Sequence, residues 1–136
     1  MATILVVDDE PMMLDLLGTI LQRLRHDVIP ASTGTEAVAL YRRKAPHLVI
    51  LDLQLPDMSG IDVLRKIREA HPAEPVIILT GAGTDALERQ ARELGVQHFI
   101  QKGFSLHNLG EALRSVFKEV PRSLSAGANK EKSGTA

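Results

Sequence analysis

Residues 48–60 read Leu-Val-Ile-Leu-Asp-Leu-Gln-Leu-Pro-Asp-Met-Ser-Gly. The first four are apolar without polar alternation, the pattern of a strand covered on both faces. That run ends on a carboxylate, Asp52. Leu55 to Gly60 then read as a loop, rich in the residue types that turn a chain. Ser59 suits the N-cap of a helix with Ile61, Leu64 and Ile67 on its inner face. His71-Pro72 ends that helix.

The same grammar recurs along the chain. The runs TILVVD (3–8), PVIILT (75–80) and HFIQK (98–102) end in Asp8, Thr80 and Lys102. A fifth, shorter strand, DVIPA (27–31), carries Pro30, which argues for an edge position. Helical spacing fills the gaps. Pro11 suits a first helical turn, and Met13, Leu17, Ile20, Leu21 and Leu24 mark one inner face. Thr33 and Glu36 fit a capping box for a helix running to about Lys44. Thr84 caps a helix to Leu94, with Gly95 as its stop. Ser105 caps the last, with Leu106, Leu109, Leu113, Val116, Phe117 and Val120 facing inward. Five βα units predict an α/β fold: a parallel sheet with helices on both faces and right-handed crossovers.

In open α/β sheets, ligands bind beyond the carboxyl ends of the strands. Asp8, Asp52, Thr80 and Lys102 are therefore expected to converge. Asp9 raises the carboxylates to three, enough to hold a hard divalent cation. A hydroxyl and an ammonium beside them suit phosphoryl oxygens.

Composition narrows the alternatives. Sixteen Lys and Arg against 17 Asp and Glu give no positive stripe for nucleic acid. Cysteine is absent, which removes disulfides and thiol chemistry. No apolar run reaches the roughly 18 residues of a membrane span, and a strand pattern begins at Thr3, where a signal peptide would stand. A cytoplasmic domain without membrane or direct nucleic-acid contact is expected. The five histidines, at 26, 47, 71, 98 and 107, lack metal-ligand spacing. Met12 and Met13 are expected to pack on or beside a helical core face, and Arg42, Arg43 and Lys44 to form a solvated helix end. Residues 121–136 are small and polar and are expected to form a flexible tail after a domain of residues 1–120.

The motifs VVDDE, LVILDLQLPDMSG, LTGAG and FIQKGF, in this order and spacing, resemble the receiver domain of two-component response regulators, over about residues 3–120. The resemblance implies a doubly wound, flavodoxin-like five-stranded parallel sheet in the order 2-1-3-4-5 with five flanking helices. It implies that Asp52 is the phosphoacceptor and that Mg²⁺ is the cofactor. Asp9 and Asp52 would bind the metal directly, with the Gln54 backbone carbonyl as a third ligand and Asp8 acting through water. Lys102 and Thr80 would hold phosphoryl oxygens. Thr80 and Phe99 would switch the face of the fourth helix, fifth strand and fifth helix, while Gln54 and Ala82 would tune phosphoryl lifetime.

The implied donor is a phosphohistidine on a sensor histidine kinase or histidine phosphotransfer protein. The output would be a downstream protein target, a fused or lost output domain, or a phosphorylation-dependent homodimer. Such a protein is a signalling switch rather than an enzyme. Two other readings stay open: a phosphatase using an aspartyl-phosphate, although Gln54 stands where haloacid-dehalogenase-type enzymes carry a second acid, and an unphosphorylated pseudo-receiver. One departure is plain: Gly103 follows Lys102 where most receivers have a proline, usually after a cis bond. A cis bond before a non-proline costs about 2.5–4 kcal/mol, so a trans Lys102–Gly103 peptide and a more pliant loop are expected.

Overall fold

A computed structural model describes residues 2–81, 84–103 and 106–118, with side chains omitted at 106 and 118. The expectations for Ala82, the Ser105 cap, the Leu106 side chain, Val120 and the tail lie outside the described residues. The element order is β1 (Thr3–Val7), α1 (Pro11–Arg23), β2 (Asp27–Ala31), α2 (Gly34–Lys44), β3 (Leu48–Leu51), α3 (Gly60–Ala70), β4 (Val76–Thr80), α4 (Asp85–Glu93), β5 (His98–Gln101) and α5 (Leu106–Lys118). All strand pairs are parallel, in the order β2-β1-β3-β4-β5. Pro30 falls on an edge strand, where its missing N–H costs no ladder bond.

The central strands separate two cores because successive side chains point to opposite faces. Leu5, Val7, Val49, Leu51 and Ile78 pack toward α2, α3 and α4. Ile4, Val6, Leu48, Ile50 and Ile77 pack toward α1 and α5. Truncating one such side chain to alanine costs about 2–5 kcal/mol. The unbroken apolar runs of β1, β3 and β4 are thus the signature of a sheet buried on both sides.

The helix ends follow their caps. The hydroxyls of Thr33, Ser59 and Thr84 accept from the N–H groups of Glu36, Ile61 and Leu87. Glu36 reaches the Ser32 N–H (2.9 Å), one residue before the cap, so the capping box is displaced by one position. Gly95 takes φ +87° just beyond α4, as a left-handed stop requires. Two expectations for α1 are corrected. Leu24 is 52% exposed because the helix ends at Arg23 and the chain turns away. Met12 is 83% exposed, while its neighbour Met13 packs against the α1/α5-side core. Two adjacent helical residues point about 100° apart, so only one of them faces inward. Among the described residues, no helix is long and apolar enough to cross a membrane.

Candidate functional site

The ladder continues just past the strands and delivers the polar residues to one rim. The Asp8 N–H donates to the Ala31 carbonyl (3.0 Å), and the Asp52 N–H to the Val7 carbonyl (2.9 Å). The Lys102 N–H donates to the Thr80 carbonyl (2.8 Å). Asp8, Asp52 and Thr80 are at most 2% exposed, although all three are polar. Buried polar groups at one rim need partners, and they find them in each other.

Asp52 is the hub. Its Oδ1 accepts from the Thr80 hydroxyl (2.8 Å) and the Gln54 N–H (3.1 Å). Its Oδ2 accepts from Lys102 Nζ (3.0 Å). Lys102 also pairs with Asp8 Oδ2 (3.2 Å) and with Glu10. Asp8 Oδ1 in turn accepts from the Glu10 N–H (2.9 Å). Asp8, Asp9 and Asp52 each present a carboxylate oxygen within 4.8 Å of the others. The cleft above them, about 360 Å³, is lined by Asp9, Glu10, Asp52, Gln54, Leu55, Pro56, Gly81 and Lys102.

Charge is unbalanced here: four carboxylates face one ammonium. Burial pushes the Asp8 carboxyl above its usual range, and the nearby Asp52 charge adds to this. The Glu10 N–H and Lys102 offset part of the rise. Burial alone would lower the Lys102 pKa, but bonds to Glu10, Asp52 and Asp8 outweigh it and raise it, so the ammonium stays charged. Such a cluster favours any further cation.

Five sequence-expected residues meet at this rim: Asp8, Asp9, Asp52, Thr80 and Lys102. Gln54 touches Asp52 through its backbone, while its exposed side chain borders the cleft. Phe99 lies apart from the acids, half-buried on β5 beside Ile78 and bordering a separate groove between β5 and α5. Glu10 was not singled out from the sequence. The available signal was its place as the third acid of VVDDE, directly before the helix-starting Pro11. The described residues contain no cis peptide bond, so Lys102–Gly103 is trans as expected. Gly103 has φ +88°, which a proline ring fixed near −65° cannot adopt.

The profile of the response regulator receiver domain matches residues 4–114. The chain is 38% identical over 120 residues to the probable transcriptional regulatory protein TcrX of Mycobacterium tuberculosis, covering 87% of this chain and 50% of that protein. It thus spans about half the length of the curated relatives it matches. The non-phosphorylated HemR receiver domain of Leptospira biflexa superposes with a TM-score of 0.83 at 32% identity, covering 89% of this chain and 98% of that one. CheY in the CheX-CheY-BeF3-Mg complex of Borrelia burgdorferi gives a TM-score of 0.80 at 29% identity, covering 85% and 88%. The fold, the acid-rich rim and these likenesses agree: the chain belongs to the receiver-domain family of two-component response regulators.

Proposed function

We propose that this receiver is a phosphorylation switch with Asp52 as acceptor. One observation carries the reading: Asp52, at the end of the central strand β3, touches both Thr80 and Lys102 and shares a 4.8 Å cluster with Asp8 and Asp9. The donor is a phosphohistidine on a sensor histidine kinase or histidine phosphotransfer protein. An Asp52 carboxylate oxygen attacks phosphorus, the P–N bond to the donor imidazole breaks, and that imidazole leaves with the electron pair. Lys102 shifts from carboxylate to phosphoryl oxygen, and Thr80 donates to another. Catalysis is placement and charge neutralisation of a loose transition state. Water later attacks the phosphorus, the P–O bond to Asp52 breaks with its electron pair returning to the carboxylate, and inorganic phosphate leaves, which resets the switch.

Three carboxylates in this spacing suit a small hard cation, and Mg²⁺ is the fitting choice. Asp9, Asp52 and the Gln54 carbonyl would hold it directly, with Asp8 through water. When bound, Mg²⁺ would cancel carboxylate repulsion and ligate a phosphoryl oxygen. The CheY relative, solved with BeF3 and Mg, supports this assignment.

Thr80 moving toward the phosphoryl group frees space that Phe99 fills by packing alone, since it has no hydroxyl. The α4, β5 and α5 face then changes toward a protein target, an output domain or a second copy. Residues 1–120 form the switch. The transcription-regulator relatives are about twice the matched length, so a DNA-binding output in the same polypeptide or a separate partner fits equally.

The test is intact-mass analysis after acetyl phosphate with Mg²⁺. The wild type should gain one phosphoryl group, lost again with time, and Asp52→Asn should gain none. A wild type that stays unmodified would favour the reading as an unphosphorylated pseudo-receiver. Steady release of phosphate from a monoester without a covalent adduct would favour a phosphatase.

A further inference from the structure

The loop between β3 and α3 is fastened at its root and at its tip. At the root, the Gly60 N–H donates to the Leu53 carbonyl (2.9 Å), and Gln54 pairs with Ser59 in an isolated antiparallel bridge. At the tip, the Asp57 carboxylate crosses to the start of α2. Its Oδ1 accepts from the Gly34 N–H (2.8 Å), and its Oδ2 from the Thr35 N–H (2.9 Å) and hydroxyl (2.7 Å). These N–H groups belong to the first helical turn and have no intrahelical acceptor. A carboxylate there also faces the positive end of the helix dipole. The three bonds, that from the Thr35 hydroxyl foremost, draw the Asp57 carboxyl down to about 2, so it is ionised at neutral pH. Met58 closes over Gly34: a Cβ there would stand 2.3 Å from Met58 Cγ.

These contacts complete a ring of links that runs through Asp8 and Asp52. Asp8 is bonded to Ala31 at the end of β2, and three residues later the chain reaches Gly34. Asp57 carries the ring across to the β3–α3 loop. Gln54, at the root of that loop, donates to Asp52, whose own N–H returns to Val7 beside Asp8.

We propose that Asp57 is a positioning residue for the cation and phosphoryl site: its grip on α2 holds the β3–α3 loop so that the Gln54 main chain keeps its place beside Asp52. The cation part of this role rests on the function proposed above; the mechanical part stands on the contacts alone. From the sequence, Asp57 is only a turn residue.

The experiment uses the full chain, ¹⁵N-labelled, with Asp57→Ala, Asp57→Asn and Thr35→Val. Amide exchange is measured at Gln54 and Gly60, with β1 and β3 amides as the internal reference. Mg²⁺ affinity is read from amide shifts during titration. Loss of charge-assisted hydrogen bonds in Asp57→Ala should speed loop exchange and weaken Mg²⁺ binding, each by about tenfold, with the strand amides unchanged. Asp57→Asn keeps one acceptor oxygen and should fall between. Thr35→Val should shift both readouts less, in the same direction, and carries the comparison if Asp57→Ala does not fold. Loop exchange and Mg²⁺ affinity within about twofold of wild type would overturn the role. So would faster exchange with unchanged Mg²⁺ affinity, which would make Asp57 a structural tether only. A wild type that binds no Mg²⁺ would defeat the receiver mechanism and with it the cation part, while the exchange data would still decide the tether.

Discussion

Thr80 Oγ1 donates to Asp52 Oδ1 across 2.8 Å, joining the ends of two adjacent strands, β4 and β3, where both side chains are buried. The hydroxyl therefore has a job before any phosphoryl group arrives. Thr80→Val keeps the shape and removes the donor. A hydrogen bond to a charged, buried acceptor is worth about 1.5–3 kcal/mol, and urea unfolding of Thr80→Val should show a loss of that size. Thr80→Ser should retain most of it. If phosphorylation by acetyl phosphate also falls in Thr80→Val but not in Thr80→Ser, the hydroxyl serves both states. Equal stability of Thr80→Val and wild type would remove the hydrogen bond from the account.

Lys102 ties three of the acids together. Its Nζ meets Asp52, Asp8 and Glu10 at once. Replacing it with methionine leaves two buried carboxylates without a counter-charge, and breaking a buried pair costs about 3–5 kcal/mol. The exposed share of the lysine places the expected loss at or below about 3 kcal/mol. Mg²⁺ should then raise the melting temperature of Lys102→Met more than that of wild type, and chelation should reverse the gain. Thermal melts with and without Mg²⁺ decide this. A smaller Mg²⁺ effect in the variant would mean that ammonium and metal do not answer to the same charges.

Gly60 and Gly34 begin α3 and α2 and differ in what surrounds them. A Cβ at Gly60 would stand 2.4 Å from the Asp52 carbonyl oxygen and 2.5 Å from Leu53 Cα, both backbone atoms. A Cβ at Gly34 would stand 2.3 Å from Met58 Cγ and 2.5 Å from its Sδ, atoms of a flexible side chain rather than of the backbone. Gly60→Ala should therefore cost about 3 kcal/mol, the upper end for overpacking, and Gly34→Ala about 1 kcal/mol. Denaturant midpoints of the two variants measure the difference. Equal losses would show that the β3–α3 loop yields as easily as a methionine.

Much of this fold was written in local pattern. Unbroken apolar runs located the doubly covered strands, and Thr33, Ser59 and Thr84 located three helix starts. The convergence of Asp8, Asp52, Thr80 and Lys102 followed because parallel strands share one carboxyl rim. What local pattern left out was contact across long separations. Nothing in the spacing says that Glu10 turns back to Lys102, since a third acid in a row reads as solvated. Nothing says that Asp57 caps a helix 22 residues earlier, as its bond to Thr35 does. Leu24 and Met12 failed for simpler reasons. Leu24 stands just past the end of α1 at Arg23, which periodicity alone does not locate, and Met12 is turned about 100° around the helix from Met13, the one of the pair that packs inward.

The far end of the sheet carries a pH dependence separate from the cleft. His26 stacks on Phe117, with ring centroids 5.0 Å apart, and its Nδ1 accepts from the Ala2 N–H (3.1 Å). Both contacts suit the neutral ring, and a protonated Nδ1 could not accept. Burial lowers the His26 pKa below its ordinary value, while the Asp27 charge opposes this weakly. The sign follows from linkage. The unfolded chain takes up the proton more readily, so folding stability is full above about pH 6.5 and is lost as pH falls from there through the lower folded value. His26→Asn keeps a side-chain acceptor but neither stacks as a ring nor titrates. It should be less stable than wild type at pH 8, and its stability should change less between pH 8 and pH 5. Urea midpoints across that range provide the check, and parallel pH profiles for the two proteins would rule His26 out as the source.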